Sequence, residues 1–130
     1  MTHPNEEIVR KGYKAFGEGD MDTLGSLYAP DAVHSATGNG PLAGEYKGIE
    51  DILGYYGKLF ELSGGTFSAE LKSAKAEGDD TVVAVHRGQG QRDGKTLDQD
   101  ETLTFTIADG KITRLVESHS DQAAYDAFWS

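Results

Sequence analysis

The 130-residue chain contains no cysteine, three prolines and one tryptophan. Without cysteine it has no disulfide framework, no thiol nucleophile and no cysteine-type zinc site. Basic residues are also scarce, because 12 Lys and Arg stand against 22 Asp and Glu, a formal net charge of −10. Phosphate binding needs clustered positive charge, so this balance argues against nucleic acid and an anionic membrane as partners. The acidity is typical of a solvated, self-repelling surface.

Long apolar runs are absent as well. No run approaches the ~20 residues of a membrane span. The first residues, Met-Thr-His-Pro-Asn-Glu-Glu, lack the basic and apolar regions of a signal peptide, so the cytoplasm is the expected location. The chain has no internal repeat, low-complexity tract or linker, and we therefore expect a single domain over residues 1–130.

The sequence also lacks motifs for metal and nucleotide binding. Gly38-Asn39-Gly40 and Gly88-Gln89-Gly90 do not have the strand–turn–helix context of a nucleotide site. The histidines show no His-x-His or HExxH spacing, and the acidic run Asp98-Gln99-Asp100-Glu101 lacks the loop glycine of a calcium hand. We therefore expect no metal and no cofactor.

Two Asp-Gly pairs, Asp93-Gly94 and Asp109-Gly110, are the strongest structural signal that is present. Each lies between alternating apolar and polar residues, which is the pattern of a tight β-hairpin. The alternation predicts four strands, at about 66–77, 80–92, 95–108 and 111–120. Counting back from the turns places His86 opposite Glu101.

Helical periodicity occupies the first half of the chain and its last residues. The first two predicted helices begin after the caps Asn5 and Asp20, the third begins near Gly48, and the last begins after a cap at Ser120 or Asp121. A short strand is predicted over Ala32–Ala36, and the glycine-rich segment Thr37–Tyr46 is predicted to be irregular.

The hairpin register divides the predicted sheet into two faces. The predicted core face carries Phe67, Leu71, Val82, Ala84, Leu103, Phe105, Ile107, Ile112 and Val116. The other face is rich in threonine and charge, and this count places Glu117 and His119 on it. Val83, Val85 and Leu115 interrupt the polar set. We interpret that apolar patch as part of a subunit interface and expect a homodimer.

His86 and Glu101 are the two ionisable residues that this register places on the core face. A buried charge costs several kcal/mol unless it is paired. One interpretation is an acid–base pair in which Glu101 orients His86 and raises its pKa. The other is a polar pair that only satisfies itself at the edge of the core. His34 points into the same interior if its neighbours Ala32 and Ala36 do.

Five segments spanning nearly the whole chain carry a family resemblance: Gly19–Asp22, Tyr28–Ala32, Gly44–Gly48, Ala108–Ile112 and Asp121–Trp129. With the element order, they resemble the nuclear transport factor 2-like superfamily, in its SnoaL-like and ketosteroid-isomerase-like branch. The resemblance implies a cone-shaped α+β (cystatin-like) fold. In that fold a curved, mostly antiparallel sheet packs on three helices, a short helix ends the chain, and the protein is usually dimeric.

The resemblance also implies a conical pocket that encloses a small apolar ligand bearing a carbonyl group. We expect the pocket to be lined by Tyr28, Tyr56, Phe60, Ala84, Leu103, Phe105 and Val116. The implied activity is cofactor-independent proton transfer of the isomerase or cyclase type. His86 would be the acid or base, Glu101 would orient it, and His34 would be a second donor.

The chain departs from the family at the groups that ketosteroid isomerases use. At the positions of a first-helix tyrosine, an aspartate base and a protonated aspartate stand Gly12, Ala36 and Leu103. This departure keeps a second interpretation open, a non-catalytic ligand-binding or dimerisation module with the same fold.

Overall fold

A computed structural model describes residues 3–130. Its elements are α1 (Pro4–Glu18), α2 (Met21–Ser26), β1 (Tyr28–Ala36), β2 (Gly44–Lys47), α3 (Ile49–Leu62), β3 (Ser68–Ala76), β4 (Thr81–Arg92), β5 (Lys95–Ala108), β6 (Lys111–His119) and α4 (Gln122–Trp129). The strands form one curved, open sheet in the order β2-β1-β6-β5-β4-β3. All neighbours are antiparallel except β1 and β6. The predicted α+β class is confirmed.

The helix starts follow from local capping. Asp20 and Asp121 each accept a hydrogen bond from a backbone N–H in the first turn, as predicted. The predicted cap at Asn5 is wrong, because α1 begins at Pro4 and His3 is its cap. Proline suits the first helical turn, where the N–H that it lacks would have no partner.

The first strand is longer than predicted. It begins at Tyr28 and contains Pro30, which is tolerated because the pairing with β6 is irregular between Tyr28 and Val33. The segment predicted to be irregular contributes β2, which pairs with β1 at the edge of the sheet. Both changes enlarge the edge of the sheet formed by β2 and β1, where His34 lies.

The two Asp-Gly turns have the backbone that the hairpins require. Asp93 and Gly94 have φ of 51° and 77°, and Asp109 and Gly110 have φ of 52° and 76°, values typical of a type I′ turn. β4 and β5 pair without irregularity, so His86 lies opposite Glu101 as predicted.

The pairing of β5 with β6 departs from the prediction. The register shifts by one residue between Thr106 and Ile107, and a one-residue shift moves every following side chain to the opposite face. Leu115, predicted outside, is 1% exposed, and Val116, predicted inside, is 36% exposed. For the same reason the outward placement of Glu117 and His119 is wrong, since both turn inward.

The pairing of β3 with β4 contains a second irregularity, between Leu71 and Ser73. Counting back from a turn at Gly78-Asp79 predicts Leu71 opposite His86 and Lys75 opposite Val82, and Leu71 does lie opposite His86. Beyond the irregularity the predicted pairs are wrong by one residue, since Ala76 rather than Lys75 lies opposite Val82.

The inner face of the sheet carries the core. Helix α1 packs on β3 and β4, α3 packs on β1 and β2, and α4 packs on β5 and β6. Within this largely apolar interior lie five buried polar residues: His34, Ser63, His86, Glu101 and Glu117. Among residues 3–130, each helix is too short or too polar to cross a membrane.

Candidate functional site

A tyrosine, a histidine and a glutamate from three elements form what we call the first arm. The Tyr13 hydroxyl of α1 lies 2.6 Å from His86 Nδ1, and His86 Nε2 lies 2.6 Å from Glu101 Oε1. A ring nitrogen that faces a carboxylate carries the proton, so Nε2 donates to Glu101. In the neutral imidazole Nδ1 then accepts from the Tyr13 hydroxyl.

A second arm has the same chemistry. His34 Nε2 lies 2.8 Å from Glu117 Oε1, and His34 Nδ1 lies 3.0 Å from the Tyr56 hydroxyl. The Tyr56 hydroxyl is 2.8 Å from that of Tyr28. The second arm therefore contains two tyrosines where the first contains one.

His119 joins the two arms. Its Nδ1 lies 2.8 Å from Glu101 Oε2, and its Nε2 lies 2.9 Å from Glu117 Oε2. The Nε2 contact is an ion pair without hydrogen-bond geometry. The side chain of His119 is fully buried, and its ring stacks on Tyr125 with 3.5 Å between centroids. We call the two arms and His119 together the buried network.

The electrostatics favour a charged His119 between two carboxylates. Burial alone would lower the pKa of His119, but its contacts with Glu101 and Glu117 outweigh burial and raise that pKa to about 9. Burial alone would raise the pKa of Glu117, yet bonds from His119 and His34 hold that pKa well below its usual range. At neutral pH the centre of the buried network is thus an imidazolium held by ionised glutamate.

Buried tyrosines complete the surroundings as proton donors. The Tyr55 hydroxyl lies 3.1 Å from Glu117 Oε1 and 3.3 Å from the Tyr125 hydroxyl. Burial raises the pKa of Tyr55 and of Tyr125 well above the ordinary range. Burial likewise raises the pKa of Tyr28 to about 12, so these phenols stay protonated at neutral pH.

Three groups of the buried network have a spacing that a metal ion could bridge. Glu101, Glu117 and His119 each offer one ligand atom, and these atoms lie within 4.8 Å of one another. Both nitrogens of His119, however, already face carboxylate oxygens at 2.8 and 2.9 Å. We therefore assign protons rather than a metal to these contacts.

Both arms reach one cavity of about 60 Å³, which has room for several water molecules. Its polar lining is Tyr13, Tyr28, His34, Tyr56, His86, Glu101, Glu117 and Tyr125, and the rest is apolar. The cavity is far smaller than the roughly 300–1,000 Å³ of drug-sized ligand sites. Tyr13 and Phe16 line it and are only half-buried, so this wall borders solvent.

Most of the predicted site residues meet at this cavity. His86, Glu101 and His34 line it, as do the predicted ligand contacts Tyr28, Tyr56, Leu103 and Phe105. Three predicted ligand contacts must be corrected, because Phe60, Ala84 and Val116 do not line the cavity. Phe60 packs against Phe16, with 5.0 Å between ring centroids. Ala84 is buried in the core, and the β6 shift turns Val116 outward.

Five residues of the candidate site were not predicted from the sequence: Tyr13, Tyr55, Glu117, His119 and Tyr125. A signal for Tyr13 was available, because Val9, Tyr13 and Phe16 recur at helical spacing on one side of α1. A weaker signal marked β6, where two adjacent apolar residues, Leu115 and Val116, break the alternation. Such a break is typical of a bulge.

Gly88 makes room for the carboxylate of the first arm. A Cβ at this position would lie 2.5 Å from Glu101 Oε1 and 2.8 Å from its carboxyl carbon. The Glu101 side chain therefore lies over the β4 backbone at Gly88, and a larger residue at this position would displace it.

The Gly88→Ala variant is expected to lose about 1–3 kcal/mol of unfolding free energy, because Glu101 must leave its contacts with two histidines. Urea unfolding measures the loss. The matched control is Gly90→Ala on the same strand, where the nearest atom to a Cβ is Phe128 Cζ at 3.4 Å. Equal losses in the two variants would contradict this role of Gly88.

Stability is expected to be highest between about pH 4.5 and 6.5. The His119 pKa is raised from 6.5 to about 9, so its contribution is complete below pH 6.5 and is lost as the pH rises through 9. The Glu117 pKa is lowered from 4.5, so its contribution is complete above pH 4.5 and is lost on acidification.

Urea unfolding across the alkaline range checks this profile. The decline from pH 6.5 to 9 should be about 2–3 kcal/mol, and the His119→Gln variant should lack it. A wild-type profile that stays flat over this range would contradict the ion pairs assigned to His119.

Comparison with known proteins agrees with this architecture. A sequence profile of the SnoaL-like domain matches residues 9–115. An uncharacterized protein of Mycobacterium tuberculosis is 36% identical over 124 residues, which are 95% of either chain.

Two solved structures extend the comparison. Bal32a, from a soil-derived mobile gene cassette, is 36% identical with a TM-score of 0.95 over 98% of this chain and 97% of that one. A protein of unknown function with a cystatin-like fold from Xanthomonas campestris is 34% identical, with a TM-score of 0.89 over 95% and 96%. The fold that the sequence resemblance implied is confirmed, and the chain belongs to the SnoaL-like domain family.

Proposed function

We propose that this protein is a cofactor-independent acid–base enzyme of the isomerase or cyclase type. Its ligand is a small, largely apolar molecule with a carbonyl group. The observation that carries the proposal is the pair of arms, each of which connects a buried histidine–glutamate pair through tyrosine hydroxyls to the wall of one cavity.

The geometry changes the role expected for the imidazoles. In His86 and in His34 both ring nitrogens are bonded within the arms. Neither ring has a free nitrogen for a ligand, so each histidine exchanges protons with the ligand through tyrosine. Tyr13 and Tyr28 are then the groups that touch the ligand, and the histidines supply or store the proton behind them.

The apolar lining supports proton transfer on a weakly acidic ligand. Within a low-dielectric cavity, oriented hydroxyls stabilise developing charge more strongly than water does. The volume of about 60 Å³ favours a ligand of few atoms over a steroid or a tetracyclic molecule. Entry of a ligand that fills more than this volume is expected to displace a half-buried wall residue, Tyr13 or Phe16.

A second candidate is a binding or dimerisation module without chemistry. The small cavity favours it, and so does the extent to which the polar atoms of the arms already satisfy one another. On this interpretation the buried network is a structural device that fixes the positions of β1, β4, β5 and β6. The two candidates differ in whether the tyrosine hydroxyls exchange protons with a carbonyl compound.

Exchange of carbon-bound hydrogen tests the enzyme. Acetone, 2-butanone and acetylacetone in deuterated water should each be screened by NMR for faster loss of the hydrogens next to the carbonyl. We expect acceleration by the wild type and a loss of about 10²-fold in Tyr13→Phe and Tyr28→Phe. The matched control is Tyr46→Phe, whose hydroxyl bonds to the Leu42 carbonyl away from the cavity.

Folding of each variant is checked by its urea midpoint. If the wild type binds a probe, seen as shifted resonances of cavity residues, and yet accelerates no exchange, the binding module is the better description. Equal rates in Tyr13→Phe, Tyr28→Phe and Tyr46→Phe would also contradict the enzyme, because the hydroxyls would then be dispensable.

We further propose that the outer sheet face pairs with a second copy of this chain. Val83, Thr104 and Val116 lie in one row across β4, β5 and β6. The predicted Leu115 is buried inside and is replaced in the patch by Val116. The ion pairs Lys72–Asp100 and Arg87–Asp98 lie on the same face, beyond the next row of Val85, Thr102 and Ser118. A face that meets its own copy therefore brings both signs of charge together.

Light scattering after size-exclusion chromatography tests the dimer. We expect twice the chain mass of 14.0 kDa for the wild type and a shift towards monomer in Val83→Glu and Val116→Glu, which place charge in the apolar row. Gly57→Glu on the exposed side of α3 is the control. A wild-type monomer at all concentrations would contradict the dimer.

A further inference from the structure

The buried network is a chain of eight groups joined by seven contacts. In order, its members are Tyr13, His86, Glu101, His119, Glu117, His34, Tyr56 and Tyr28, and neighbouring atoms lie between 2.6 and 3.0 Å apart. Tyr55 donates to Glu117 from the side. The two ends, Tyr13 and Tyr28, both line the cavity.

The number of protons follows from the contacts. Six of the contacts are hydrogen bonds, and each needs one proton between its two atoms. The seventh is the ion pair between His119 Nε2 and Glu117 Oε2, which needs the second proton of the His119 ring. Seven protons make both glutamates ionised acceptors, put two protons on His119, and leave His34 and His86 neutral. Two carboxylates and one imidazolium then leave the buried network with one negative charge.

A net charge in the interior is costly unless it is balanced. Within residues 3–130 the lining of the cavity includes no lysine or arginine. The other titratable groups near the network, within the described residues, are Tyr46, Tyr55 and Tyr125, which stay protonated, and Asp126 of α4, which adds a negative charge near His119. An eighth proton on the network would balance this charge, and it has two places, one in each arm.

The position of the eighth proton decides which tyrosine directs its O–H into the cavity. With the eighth proton in the second arm, His34 is an imidazolium that donates to Tyr56. Tyr56 donates to Tyr28, whose O–H then points to the cavity. With it in the first arm, His86 donates to Tyr13, which presents its own O–H. In either state one end donates and the other accepts.

We infer that the buried network carries one such mobile proton, an inference that rests on the proposed function. Because of this proton the two tyrosine ends are unlike: one donates a hydrogen bond into the cavity and the other accepts one. The ligand class that matches unlike ends is a small uncharged compound with a carbonyl acceptor and an acidic C–H or O–H nearby. An enolisable 1,3-dicarbonyl compound has both groups.

The proton transfer balances on such a ligand without a further reactant. The accepting tyrosine removes a proton from carbon, and the electrons of that C–H bond form the C=C bond of the enol. The carbonyl π electrons form a new O–H bond with the proton that the donating tyrosine releases. The ligand stays neutral and the eighth proton changes arms. Exchange with water beside the half-buried Tyr13 restores the starting state.

Nitrogen-15 NMR of the histidine rings counts the proton without any ligand. At pH 7 we expect His119 to be doubly protonated and the protonated fractions of His34 and His86 to sum to about one, in any division. Glu117→Gln and Glu101→Gln each remove one carboxylate charge, so the sum should fall towards zero. Glu45→Gln, an exposed position on β2, should leave the sum unchanged.

Two results overturn the inference: both histidines neutral in the wild type, or both fully protonated. The wild-type spectrum decides even if a Gln variant does not fold. For the ligand class, acetylacetone should bind at least tenfold more tightly than acetone, which lacks the second carbonyl, and equal affinities would overturn it. A correct proton count with no exchange of carbon-bound hydrogen would contradict the proposed enzyme alone.

Discussion

The contact on which the interior depends is the imidazolium of His119 held between Glu101 and Glu117. Each glutamate also accepts from a second histidine, so one charged ring fixes two carboxylates, and each carboxylate fixes one further ring. Removal of one member leaves an ionised group buried without a partner, which costs more than the lost contact itself. The arms are therefore expected to behave as one unit rather than as separate pairs.

The backbone supplies the conditions for this arrangement. The shift between Thr106 and Ile107 turns the end of β6 so that Glu117 and His119 face inward. The absence of a side chain at Gly88 lets Glu101 cross β4. Neither feature contributes a functional atom, yet without them two of the five ionisable side chains would face solvent and a third would be displaced.

Local signals in the sequence were sufficient for much of the fold and part of the site. The Asp-Gly turns determine the β4–β5 register, and the pairing of His86 with Glu101 follows from it. A bulge has no comparable signal, because it reflects packing of the whole sheet. Counting from the turn therefore reversed the faces of Val116, Glu117 and His119. Tyr13 was missed for a different reason, because a tyrosine on the apolar side of a helix usually packs in the core.

Tyr13 is at once a wall of the cavity, a boundary with solvent and one terminus of the hydrogen-bonded chain. Any guest that pushes this ring aside also breaks the bond between its hydroxyl and His86. In the proposed enzyme, entry of the ligand and release of His86 Nδ1 would therefore be one event, because the residue at the entrance is also the proposed proton donor. Without a ligand, His86 Nδ1 is occupied by the Tyr13 hydroxyl, so the proposed chemistry would begin only when a ligand moves that ring.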